Sequence, residues 1–164
     1  MTHDSLLSRR ERKLIERAAI ALGEPVVAAC AFRVEGTLPW YFAGILVGLG
    51  LLQGVLGALI GLGLGALVAR LATRHRARGF GFTTIIAVTA TQLHAIKASF
   101  WTGRPVADGR IGSWPLAAIT MGVRYKRLTT AVSLELPDGR HVRLEGVSRK
   151  HAAALVGRLR ATPG

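Results

Sequence analysis

The stretch WYFAGILVGLGLLQGVLGALIGLGLGALVA, Trp40 to Ala69, decides how this chain is read. Its one strongly polar side chain is Gln53, and no Asp, Glu, Lys or Arg occurs between Glu35 and Arg70. A chain of 164 residues has room for one compact domain and one anchor. As a continuous helix the stretch extends about 45 Å at 1.5 Å per residue, against a hydrocarbon core of roughly 30 Å. The expected class is therefore an α+β membrane protein. A glycine-rich transmembrane helix, or a short hairpin, would carry a small antiparallel β domain closed by a C-terminal helix.

Both flanks of the apolar stretch point to a bilayer as partner. Trp40 and Tyr41 stand at its start, where aromatic rings with a polar tip favour the membrane interface. Arg70, Arg74, Arg76 and Arg78 stand at its end, suited to anionic headgroups. Residues 1–39 carry six Lys/Arg against five Asp/Glu, a net of +1, whereas residues 70–164 carry sixteen against four, a net of +12. Positive charge flanking a span marks the cytoplasmic side, so the expected location is the cell membrane with the C-terminal domain in the cytoplasm. A nucleic-acid partner would draw on Arg124, Lys126, Arg127, Arg140, Arg143, Arg149 and Lys150. No base-stacking aromatic set accompanies those charges, which makes nucleic acid the weakest of the readings.

Glycine spacing adds a second signal. On one helix Gly50, Gly54, Gly57, Gly61 and Gly65 fall within an arc of about 80°. Small residues at four-residue spacing let helix backbones approach closely in lipid. Such a face requires a partner, either a second copy, giving a structural homo-oligomer or small pore, or the other arm of a hairpin. The unbroken glycine face favours one long spanning helix, and halving the stretch leaves arms of only roughly 21 Å each. Against this, Val26 to Val34 reads as a strand whose backbone needs neighbours. Were it part of the same sheet as the later strands, the apolar segment would have to return to its starting side.

Around this segment the chain divides into residues 1–22, 23–39, 70–79 and 80–164. In the first, Leu7, Leu14, Ile15, Ala18 and Leu22 recur at helical spacing behind a cap at Asp4 or Ser5. This amphipathic helix suits either an anionic lipid surface or its own domain. Residues 23–39 form a strand and linker, and 70–79 a basic juxtamembrane segment. Beyond them, Phe82–Ala90 and Leu93–Phe100 read as two strands. Gly103, Pro105, Asp108, Gly109, Gly112 and Pro115 read as a loop around Trp101 and Trp114. Val132, Leu134 and Leu136, a Pro137-Asp138-Gly139 turn, then Val142 and Leu144 predict a hairpin. Ser148 is a candidate cap for a terminal helix that buries Ala152, Leu155, Val156 and Leu159.

Three stretches, GEPVVAAC (23–30), TTIIAVTATQLHAIKA (83–98) and LELPDGRHVRLEGVSRKHAAALVGRL (134–159), resemble the bacterial pleckstrin-homology-like (PH-like) domains of actinobacterial membrane proteins. The resemblance implies a small antiparallel barrel or sandwich ended by a helix, a scaffold that carries many roles. In some relatives an apolar hairpin interrupts the domain after its first strand. Gln92 stands where relatives tend to carry Arg.

Catalytic chemistry is not signalled. Cys30 is the sole cysteine, so neither an intrachain disulfide nor a thiolate zinc site is available within the chain. His3, His75, His94, His141 and His151 lack metal-ligand spacing and read as surface or interfacial residues. Asp108, Glu135, Asp138 and Glu145 offer no selected acid/base pair. The glycines of the apolar stretch have no adjacent lysine, so no phosphate-loop fingerprint is present. The expected protein is a non-enzymatic membrane module without cofactor or metal, binding a cytoplasmic protein or anionic lipid.

Overall fold

A computed structural model describes residues 8–51, 54–77, 79–99, 102–126, 129–146 and 149–161. The first helix, α1 (Arg9–Leu22), begins at a reciprocal cap: Ser8 Oγ accepts from the Glu11 N–H, and Glu11 Oε2 accepts from the Ser8 N–H. Two of the donors that a helix start leaves unmet are thereby satisfied, which places the cap at Ser8 and not at Asp4 or Ser5. Those two residues lie outside the described ones. Gly23 ends the helix in the left-handed conformation, φ 74°, its N–H donating to Ala19 O.

Seven antiparallel strands follow: β1 (Ala28–Val34), β2 (Thr83–Val88), β3 (Gln92–Ala98), β4 (Pro105–Pro115), β5 (Thr120–Tyr125), β6 (Thr130–Glu135) and β7 (His141–Gly146). They make one sheet in the order β4-β3-β2-β1-β7-β6-β5. The sheet curls around a core that includes Phe32, Ile86, Leu93, Trp114, Leu134, Val142 and Leu144. Helix α4 (Arg149–Ala161) closes this core with Ala152, Leu155 and Val156. Each fully buried Val, Leu, Ile or Phe side chain contributes about 1.5–3 kcal/mol. On the sheet's other face Leu14, Ile15, Ala18 and Leu22 of α1 pack on Ala29, Ile85, Ala87 and Ile96. The apolar stripe of α1 therefore covers its own sheet, and is not left free to lie on a lipid surface.

The strand read at residues 23–39 occupies the middle of the sheet. Arg33 pairs with Thr83 of β2 on one side and with Glu145 of β7 on the other. The apolar segment must accordingly return to the side it left. It does so as two helices, α2 (Leu38–Leu51) and α3 (Val55–Ala77), which pack against each other. This corrects the single continuous helix: the chain breaks ahead of Gly54, whose φ of 93° no α-helix accommodates.

Two further corrections concern the sheet. The glycines and prolines of residues 103–115 sit largely within strand β4, where the ladder to β3 is interrupted between Ile96 and Ala98. Turn-forming residues here serve a bulge. Strand β5, absent from the sequence reading, pairs with β6 over Thr120–Tyr125.

Candidate membrane anchor and the groove beside it

Helices α2 and α3 meet through glycine. A Cβ placed on Gly44 or Gly48 would overlap the backbone of Gly57, Gly61 or Gly65, and one on Gly61 would overlap Gly44. Of the five glycines assigned to a packing face, Gly57, Gly61 and Gly65 lie in this contact, whereas Gly50 and Gly54 face open space. Gly44 and Gly48 complete the contact and were missed by the sequence reading. The close approach takes place within the chain.

The outside of this hairpin is apolar. Large side chains including Phe42 (64% exposed), Leu46 (69%), Leu51 (74%), Val55 (78%) and Leu71 (60%) point away from the protein. By length and composition Val55–Ala72 is sufficient to cross a membrane, and Pro39–Leu51 is a shorter apolar helix. Trp40 is exposed at the base, but Tyr41 is turned inward, its ring edge-on to Phe82 at 5.9 Å. Arg70 is exposed on α3 directly after the buried Ala69. Arg74 and Arg76 belong to the last turns of α3, and Arg78 lies outside the described residues.

A polar network ties the hairpin's base to the sheet. Glu35, three residues before α2, accepts from Arg124 at 2.9 Å and pairs with Lys126 at 2.7 Å. Lys126 also reaches Glu145 at 3.2 Å, whose carboxylate accepts from the Thr129 hydroxyl at 2.6 Å. The Lys126 hydrogen bond holds the Glu35 carboxyl below the usual carboxylate range, and Glu35 in turn raises the Lys126 ammonium. Arg140 is engaged too, bound to Asp138 at 2.7 Å and lying over the Trp114 ring at 5.1 Å. Several cations that suggested nucleic acid are therefore neutralised locally.

On the α1 face, His94 is fully buried, contrary to its expected surface or interfacial position. Its cross-strand partner Ser113 places Oγ 2.8 Å from His94 Nδ1, and Arg110 brings Nη2 to 3.3 Å of the same nitrogen. A guanidinium only donates, so Nδ1 accepts and the neutral ring carries its proton on Nε2. That atom faces Glu24 Oε1 at 3.2 Å, without hydrogen-bond alignment. Burial holds the imidazole below its ordinary pKa, a lowering that Glu24 opposes and Arg110 reinforces. The arrangement joins the α1–β1 linker to β4 through one ring. Beside it a groove of about 730 Å³ opens between α1 and β4.

No family model, curated protein or solved structure matches this chain.

Proposed function

We propose that this protein is a membrane-anchored, non-enzymatic interaction module whose sheet faces the cytoplasm and binds a protein partner or anionic lipid headgroups there. The observation that carries the reading is the apolar exterior of the α2–α3 hairpin, whose outward side chains stay exposed among the described residues. A surface of this kind is unfavourable in water at about 25 cal/mol per Å² and is relieved by lipid. Both arms join adjacent strands, so the hairpin enters and leaves on one side. Helix α2 is about 21 Å long, which takes the turn past the bilayer midplane and short of the far boundary of a roughly 30 Å core. The net charge of +12 after Ala69 supports a cytoplasmic domain. Within this reading the curled sheet and closing helix act as a scaffold of the PH-like kind, used to hold a ligand near the inner leaflet.

Fractionation of cells expressing the full chain tests the proposal. The protein is expected in the membrane pellet, resistant to alkaline carbonate and released by detergent. Recovery as a detergent-free monomer in the high-speed supernatant would overturn it.

A further inference from the structure

The groove between α1 and β4 is built from two kinds of side chain. Ile20, Leu22 and Val106 give it apolar walls, and Arg17, Arg104 and Arg110 add three arginines to its lining. Arg110 is engaged by Ser113 and His94. Arg17 and Arg104 make no ion pair among the described residues. Asp108 contributes the one carboxylate of the lining, leaving a net charge of +2 against three arginines.

The wall opposite α1 has a specialised shape. Ile96 pairs with Arg110 and Ala98 with Pro105, so Val106 to Gly109 stand opposite Lys97 alone. This bulge holds Asp108 at φ 54° and presses Gly109 against the Lys97 backbone, where a Cβ would lie 3.1 Å from Lys97 O. A left-handed non-glycine residue costs of order 1–3 kcal/mol and persists where the surrounding structure demands it. Val106 of this bulge is 46% exposed and lines the groove.

The register Arg33–Thr83–Ala98–Pro105 runs across the sheet at the end where β1 leaves for α2 and β2 arrives from α3. The Arg104–Val106 end of the groove is therefore on the hairpin's end of the sheet. We infer that this groove binds a single phosphate-bearing anionic lipid of the bilayer, its headgroup on Arg17 and Arg104 and the first part of an acyl chain along Ile20, Leu22 and Val106. The volume lies within the roughly 300–1,000 Å³ of small-molecule sites. Guanidinium groups match phosphate oxygens two bonds at a time. The inference rests on the membrane-anchored reading and makes it specific to one ligand class and one site.

The full chain in nanodiscs of phosphatidylcholine with a minority of phosphatidylglycerol provides the test. Native mass spectrometry after transfer to mild detergent reads which lipid stays bound. Wild type is expected to retain phosphatidylglycerol preferentially, and Arg17→Gln/Arg104→Gln to retain at least about tenfold less, since loss of even one charge-assisted bond is worth about that factor. Arg143→Gln, on β7, should match wild type, and equal melting temperatures would show that all variants are folded. Undiminished retention in the double variant would overturn the assignment. So would displacement of the lipid by glycerol phosphate or inorganic phosphate at equal concentration, which would mark a site for a free anion. Incorporation into pure phosphatidylcholine discs separates the two claims. A chain that incorporates without phosphatidylglycerol preference refutes the groove and keeps the anchor, and one that fails to incorporate refutes both.

Discussion

Gly48 of α2 and Gly61 of α3 face each other so closely that a Cβ on Gly48 would lie 2.7 Å from the Gly61 Cα. In the proposed lipid setting, helices gain nothing from burying apolar side chains against each other in preference to acyl chains, so dispersion between close backbones has to hold them. The hairpin is held by such contacts and by its covalent attachment to β1 and β2. Its return fixes β1 at the centre of the sheet, between β2 and β7.

Larger side chains at the glycine contact should separate the two arms. Gly48→Leu and Gly61→Leu are expected to destabilise the protein by more than the about 1–3 kcal/mol typical of overpacking, because backbone, and not a movable side chain, is displaced. Gly50→Leu and Gly63→Leu meet nothing within 4 Å and should be tolerated. Thermal melting in detergent distinguishes the two pairs, and equal losses at all four positions would refute the contact.

On the membrane-anchored reading, the returning hairpin leaves both of its flanks on one side of the bilayer. Cysteines introduced at Ser8, before α1, and at Asp108, in the β4 bulge, should both resist an impermeant maleimide in intact cells and both react once the membrane is opened. Cys30 does not interfere, since it is 1% exposed and burial pushes its thiol up to about 12. The native cysteine is therefore silent in either topology, and introduced ones are required. Labelling of Ser8→Cys alone in intact cells would restore the single span.

Much of this architecture was legible where one physical rule dominates. Val132 to Leu144 alternate about a Pro-Asp-Gly turn, and β6 and β7 form there. The hairpin was not, because the glycine arc assumed one helix. On a continuous helix Gly44 and Gly48 lie about 120° from Gly57, Gly61 and Gly65, and only the break at Gly54 turns the two sets face to face. Strand β5 escaped because its pattern is half exposed throughout, with no buried residue among Thr120–Tyr125. His94 escaped for the opposite reason. Strand β3 is covered on one face by the main core and on the other by α1, so polarity along Leu93, His94, Ala95 and Ile96 does not reveal which residue is inside.

Glu35 links the base of the α2–α3 hairpin to β5 and β7, and its removal should be felt as lost stability. Glu35→Gln deletes charge-assisted bonds to Arg124 and Lys126 and is expected to cost about 1.5–3 kcal/mol near neutral pH. Its folded-state pKa is depressed, so the contribution is complete above the ordinary carboxylate value and disappears as pH falls through the lower folded value. The difference in melting temperature between wild type and variant should narrow on acidification. A gap independent of pH would mean that packing, and not charge, explains the loss.

His94 should impose a second and separate pH dependence. Its pKa is lowered from an ordinary 6.5, chiefly by burial, so the unfolded chain binds a proton that the folded chain refuses. This part of the stability is present above the unfolded value and is lost as pH falls through the folded one. Wild type should therefore melt at lower temperature as pH drops below about 6.5, well before carboxylates titrate. His94→Asn keeps a polar group opposite Ser113 and cannot charge, so it should flatten this slope while costing about 1–3 kcal/mol at pH above neutrality through imperfect pairing with Arg110 and Glu24. Differential scanning fluorimetry in a neutral detergent reads both effects at once. A slope that survives His94→Asn unchanged would assign the dependence to other groups and leave His94 a purely steric part of the core.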